Sequence, residues 1–194
     1  LTGKYEGKIS SIGRTKTAPA PGIALDELTL AVASCAHWES GYFSAYRDMA
    51  NRASLFDATL LLGDYVYEYG TGEYAGNGPV RIHDPEHEIT TLDDYRRRYA
   101  RYRTDHDVQA AHAALPWIVV WDDHETADSA WRDGAENHQA SEGNWFSRRN
   151  AAMQAYFEWM PVRATSPSDN GHIYRSFTYG ALAELTITDL GTYR

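Results

Sequence analysis

The sequence predicts an α/β fold built on a mainly parallel central sheet flanked by helices, and three observations carry that expectation. Three unbroken apolar runs, "LTLAVAS" (28–34), "DATLLLG" (57–63) and "WIVVW" (117–121), read as strands buried on both faces. Segments of helical spacing lie between them, the strand, helix, strand order of a right-handed crossover. The 194 residues are 43% hydrophobic and 13% aromatic, enough for one packed domain, and global disorder is excluded.

Taken in order, "APAPG" (18–22) has linker composition, since its prolines disfavour both helix and central strand. What precedes it, including Tyr5 and Ile9, fits the last strand of a separate upstream module. After the first apolar strand, "GYFSAYRDMANR" (41–52) places aromatic and apolar groups at helical spacing, and the second strand follows at once. Between Gly70 and Thr90, "TGEYAGNGPVRIHDPEHEI" is rich in Gly, Pro, His and acid, too polar and broken for core, and predicts a long functional or flexible loop. "TLDDYRRRYARYRTD" (91–105) offers Thr91 as N-cap, acids in the first turn and arginines afterwards, which suits the helix dipole. Leu92, Tyr95, Tyr99 and Tyr102 form its buried stripe, and the five arginines from Arg96 to Arg103 read as a solvated face rather than a phosphate patch.

"HDVQAAHAAL" (106–115) predicts a further helix ending before Pro116, and "GNWFSRRNAAMQAYFEWM" (143–160) a long one closed by Pro161. "HIYRSFTYG" and "LAELTITD" read as two strands around a Gly180-Ala181 turn.

The formal charge of −9 argues against a general nucleic-acid or anionic-membrane binder, because affinity for a phosphate surface comes mainly from Lys and Arg. An acidic chain can still handle phosphate when cations screen its carboxylates. The lone cysteine, Cys35, excludes an internal disulfide and the multi-cysteine zinc ribbons, and leaves the redox compartment open. No run of about 18 apolar residues exists, so no transmembrane segment is expected. The first residues lack the apolar core of a signal peptide and the chain begins without Met, which reads as a processed or excised piece whose address was encoded upstream.

Three predicted strands end in polar residues of unusual type: Ser34-Cys35, Gly63-Asp64 and Asp122-Asp123-His124. Ligands of open α/β sheets sit outside the carboxyl ends of parallel strands, so these groups should crowd into one crevice. Several carboxylates in a small volume repel one another unless something positive lies among them, and a metal centre meets that need. Asp64 offers hard oxygen, Cys35 a thiolate, and Tyr67 a phenol that a Lewis acid could deprotonate. Thiolate and phenolate beside carboxylate suit iron, and the surplus of carboxylates suits a second, oxygen-loving cation such as calcium.

Each candidate also has a plainer reading. A single cysteine is usually a small core hydrophobe. Tyr65, Tyr67 and Tyr69 alternate, so one or two of them are packing residues, and Asp123 or Asp128 could serve as a simple helix cap. His37, His83 and His87 fall in loops near the expected mouth, where they could touch substrate, whereas His106, His112, His138 and His172 read as surface or structural.

"ASCAHWESGYFSAYRDMA", "LLGDYVYEYG", "TLDDYRRRYARYRTD", "AAHAALPWIVVWDDHE", "AWRDGAENH" and "RRNAAMQAYFEWMPVR" together resemble the PhoD family of alkaline phosphatases and phosphodiesterases, in the family's order and over nearly the whole chain. The resemblance implies a metallophosphatase-type sandwich of two central sheets flanked by helices, preceded by a fibronectin-like module whose end and linker would be residues 1–22, with 23–194 the N-terminal part of the catalytic domain. It also implies an Fe3+ and Ca2+ centre with Cys35, Asp64 and Tyr67 as ligands, Asp64 bridging, and Asp128 standing where calcium would bind. Asp123 and His124 become the catalytic pair, and His37 and Arg132 the substrate contacts. The implied substrate is a small phosphate ester or a phospholipid, and the implied location is secreted or periplasmic.

Four departures from the family pattern stand out. Ala36 replaces the Gln that usually follows the cysteine; Asp128 replaces an Asn; Gly191 replaces an arginine; and the chain stops at Arg194, before the Gly-Asp-x-His type segment that completes the family's metal site. The competing expectation is therefore an inactive, truncated metal-binding fragment. A metal-free acid-base hydrolase using Asp123 and Glu125 is disfavoured, because adjacent residues in one turn cannot straddle a sugar at the roughly 5–9 Å that such chemistry needs.

Overall fold

The computed structural model describes residues 4–5, 8–163 and 172–191. Strands β3 (Leu30–Ala33), β4 (Ala58–Leu61) and β5 (Trp117–Val119) form a parallel sheet in that spatial order. Helix α1 (Ser44–Asn51) lies between the first two strands, and α2 (Leu92–Arg103) and α3 (His106–Ala114) between the second and third. Helix α4 (Trp145–Trp159) follows, then an antiparallel hairpin of β6 (Arg175–Tyr179) and β7 (Ala183–Ile187) around Gly180. A small hairpin, β1 (Lys4–Tyr5) with β2 (Lys8–Ile9), precedes all of these. No helix among the described residues is long and apolar enough to cross a membrane.

Side chains alternate across the sheet and divide the core. Ala33, Leu61, Trp117 and Val119 join the larger cluster with the helical tyrosines, whereas Leu30, Ala58, Leu60 and Ile118 pack against Phe177, Tyr179, Leu185 and Ile187 of the hairpin. The result is layered: helices, parallel sheet, then a two-stranded second layer. Burial on both faces is why the runs read as continuous apolar stretches. The edge strand β3 departs from that rule at Val32, which is 59% exposed.

Helix α2 begins as expected, with a capping box in which Thr91 Oγ1 accepts from Asp94 N and the Asp94 carboxylate accepts from Thr91 N. Tyr95, Tyr99 and Tyr102 are fully buried. The solvated-face reading of the arginines holds for Arg96 and Arg97, which pair with Glu158 and Asp84, and fails at Arg98. Arg98 lies on the i, i+3, i+4, i+7 stripe with Tyr95, Tyr99 and Tyr102 and is wholly buried. Its guanidinium donates to the carbonyls of Tyr67, Tyr69, Pro85 and His87.

That cage corrects the flexible-loop expectation for residues 70–90. The segment has no helix or strand, yet Arg98 gathers its carbonyls, Val80 N bonds Glu39 O at 2.8 Å, and His83 and Ile89 are buried. The stretch around the prolines is also anchored, through Arg14 N on Ala113 O at 2.7 Å and Lys16 Nζ on Phe56 O at 2.6 Å.

His112 of α3 stacks on Trp117 of β5 with ring centroids 3.9 Å apart, and its Nε2 lies 3.1 Å from Tyr65 Oη. Burial, then the charge of Arg103, hold it well below its ordinary value, so it stays neutral in the folded protein. The unfolded chain protonates it near pH 6.5 and therefore binds the extra proton. Stability should rise with pH up to about 6.5 and level off, with a loss approaching about 1.4 kcal/mol per pH unit below that value from this residue. Urea midpoints between pH 5 and 8 check this, with His112→Gln showing a shallower slope than the parent.

Candidate metal centre

The site is built where the strands leave the sheet. Gly63 has φ +101, and a Cβ there would lie 2.5 Å from both Cβ and N of Asp122. The exit of β4 thus runs directly against the exit of β5, which only glycine permits. Cys35 and Asp64 both take left-handed backbone, with φ 58 and 54. That conformation costs about 1 kcal/mol or more for a non-glycine residue and persists only where surrounding contacts hold it. Cys35 N on Gly63 O at 3.3 Å and Ala36 N on Asp64 O at 2.8 Å do so between the first two strands.

Glu125 does the same between β4 and β5. Its carboxylate is buried and accepts from Tyr65 N at 2.6 Å, Asp64 N at 3.1 Å and Asp122 N at 2.8 Å. Burial pushes Glu125 up to about 8 while these donors pull it down.

Around the apex so formed, Asp64, Asp123 and His124 each place a ligand atom within 4.8 Å of the others. Cys35 Sγ lies 3.4 Å and Tyr67 Oη 3.3 Å from Asp64 Oδ2. Asp64 Oδ1 is buried with no hydrogen-bond partner among the described residues. A buried, unpaired carboxylate oxygen surrounded by thiol, phenol, carboxylate and imidazole is the donor set of a cation site, so these residues fit a metal.

The electrostatics agree. Burial, helped by Asp123, raises Asp64, and burial with Asp123 and Asp64 raises Asp122, so without a cation these carboxylates resist ionisation together. Burial and the Asp64 charge also push the Tyr67 phenol far up. His124 behaves oppositely. Burial alone would lower it, but the Glu68 carboxylate, 2.8 Å from Nδ1, and the charges of Asp123 and Asp64 raise it to about 9.

Of the residues singled out in the sequence, the structure brings Cys35, Asp64, Tyr67, Asp123 and His124 together. Cys35 is exposed at the mouth and is not a core hydrophobe. Tyr65 is the packing member of the alternating tyrosines, against Tyr99 and Tyr102. Asp123 also closes a turn, accepting from Ser129 N, but no helix follows it. Asp128 stands outside the group: Tyr69 Oη binds one of its oxygens at 2.7 Å and Ser129 Oγ the other at 2.9 Å. Arg132 is exposed and paired with Asp133. His37 turns toward Glu39 and His83. His87 pairs with Asp94 at 3.1 Å on an exposed rim.

Sequence reasoning missed Glu68, the fully buried acid that orients His124 and also accepts from Asp128 N at 2.7 Å and Asn137 Nδ2 at 2.8 Å. Its position at the end of "GDYVYE" was visible, but nothing local distinguished it from a solvated glutamate. Beside the group lies a cleft of about 660 Å³ lined by Asp122, Asp123, Ser129, Ala130, Trp131, Leu190 and Gly191.

A family model described as PhoD-like phosphatase matches residues 30–194. The chain is 47% identical over 191 residues to alkaline phosphatase D of Bacillus subtilis (strain 168), covering 96% of this chain and 32% of that protein. It superposes on a solved structure titled "Structure of PhoD" with a TM-score of 0.89 at 44% identity, covering 97% of this chain and 36% of that one. The chain thus spans about a third of the length of these relatives.

Two outcomes follow from the geometry. Glu125→Ala leaves three backbone N–H groups, two of them buried, without acceptors and should destabilise the fold by roughly 3 kcal/mol, read from denaturant unfolding. Glu68→Gln removes the carboxylate charge that holds the His124 proton, so in metal-free protein the His124 value should fall from about 9, with Asp123 and Asp64 left to oppose burial; a histidine NMR titration measures it.

Proposed function

The chain belongs to the PhoD-like phosphatase family, and from that membership and the donor set around Asp64 we propose that it carries the metal-holding part of a metal-dependent phosphoester hydrolase. The observation that carries this reading is Asp64 itself: a buried carboxylate with one orphaned oxygen, approached by a thiol, a phenol, a second carboxylate and an imidazole.

Cys35, Asp64 and Tyr67 would hold the thiolate-tolerant cation, Fe3+, and Asp64 with Asp123 would share a harder one, Ca2+. Such cations supply Lewis acidity toward the phosphate oxygens and neutralise the repulsion among the carboxylates. The chain's own part is positional and protonic. Glu68 fixes Nδ1 of His124, which leaves Nε2 as the nitrogen available to substrate. With Nδ1 fixed in this way, Nε2 of His124 can hydrogen-bond a phosphate oxygen or pass a proton to the departing alkoxide. Asp128, with both oxygens engaged by Tyr69 and Ser129, serves the rim.

Gly191 lines the cleft beside Asp122 and Asp123, so phosphate in that cleft meets no arginine from this position. A small phosphate ester or a phospholipid headgroup is the substrate class, handled in a secreted or periplasmic setting.

Asp64→Asn should lower turnover of both a phosphomonoester and a phosphodiester by roughly 10²-fold or more, and should reduce the iron and calcium retained after purification. Chelation of the parent should have the same effect. Undiminished activity and metal content in Asp64→Asn would remove this reading; metal retained without turnover would favour a binding fragment.

A further inference from the structure

A second group of metal-ligating side chains lies outside the centre described above. His37 and Glu39 come from the segment after β3, and His83 from the 70–90 loop; each places one ligand atom within 4.8 Å of the other two. His83 Nε2 is 3.6 Å from Glu39 Oε2, and both side chains are fully enclosed. Two ligands bonded at about 2.0–2.1 Å to one tetrahedral ion stand roughly 3.4 Å apart, so this pair is close to ligating distance.

The hydrogen bonding points the same way. Among the described residues, neither ring nitrogen of His83 has a hydrogen-bond partner, although the ring is buried, and His37 Nε2 is also buried without one. A polar ring held in the interior with both nitrogens unsatisfied is an unfavourable arrangement that a bound cation would relieve. The orienting contacts that a ligand set needs are already present. Ser40 Oγ lies 2.6 Å from His37 Nδ1, which leaves Nε2 free, and Gly72 N donates to the Glu39 carboxylate at 3.1 and 3.2 Å.

We propose that His37, Glu39 and His83 form a second cation site, separate from the Asp64 centre, for a divalent transition metal of the zinc type. Two imidazoles and one carboxylate favour such an ion over calcium or magnesium, which prefer all-oxygen shells. Its position gives it a structural role. The ion pins the 70–90 loop to the exit of β3, and the His37 ring meets Tyr67 edge-on with centroids 4.6 Å apart, so the site braces the wall of the first centre.

The test uses metal-stripped protein carrying Asp64→Asn, which disables the first centre. Zinc titration followed by calorimetry and thermal melting should show one equivalent bound and a rise in Tm. His83→Gln and His37→Gln should each weaken binding by roughly tenfold or more. His37 is only partly buried, so its variant remains informative if the His83 variant folds poorly. Cobalt in place of zinc should give visible absorption that Cys35→Ser leaves unchanged, because no thiolate is a ligand. No zinc binding to the Asp64→Asn protein, or binding unaffected in both histidine variants, overturns the proposal. Iron and calcium retained by otherwise wild-type protein report on the Asp64 centre separately, so the two readings fail independently.

Discussion

The carboxylate of Glu125 is the interaction on which the rest of the site depends. By accepting three backbone N–H groups, from Asp64, Tyr65 and Asp122, it fastens the exit of β4 to the exit of β5. Parallel strands normally diverge into separate loops at this end, because the ladder stops and the next donors have nowhere to bond. Here one buried acid supplies the missing acceptors, and Gly63 removes a Cβ that would collide with Asp122. The left-handed turn at Asp64 is affordable because both sides of it are held.

Once those exits are joined, a charge problem follows directly. Asp64 and Asp122 are forced together beside Asp123, a thiol and a phenol, and burial opposes ionising Asp64 and Asp122. In the metal-free protein His124 favours its charged form because Glu68 behind it, helped by Asp123 and Asp64, offsets the burial penalty. The remaining imbalance, with the orphaned Asp64 oxygen at its centre, is what a bound cation would relieve.

Much of the fold could be read from the chain, and the reason is periodicity. Runs buried on two faces, a capping box at Thr91 and Asp94, tyrosines at helical spacing and prolines at the helix ends are local signals, and each led to the right element. Arg98 shows the limit of such reasoning. Its spacing placed it on the buried stripe, but composition made it look solvated, because the acceptors that satisfy it come from carbonyls up to 31 residues away in sequence. The 70–90 segment is the loop its composition predicts, and what composition did not show is the anchoring by Arg98 at Pro85 and His87.

The site divides along the same line. The sequence by itself determined the chemistry at the strand ends, because a residue that follows a parallel strand must emerge at its carboxyl end, and that rule alone gathers Cys35, Asp64, Asp123 and His124. Only the tertiary structure decided which neighbours complete them. Glu68 behind His124, Glu125 beneath the strand exits, Asp128 turned toward Tyr69, and His83 buried against Glu39 all depend on contacts across 44 or more residues. Burial and hydrogen-bond partners at that range are properties of packing, and no local pattern of residues encodes them.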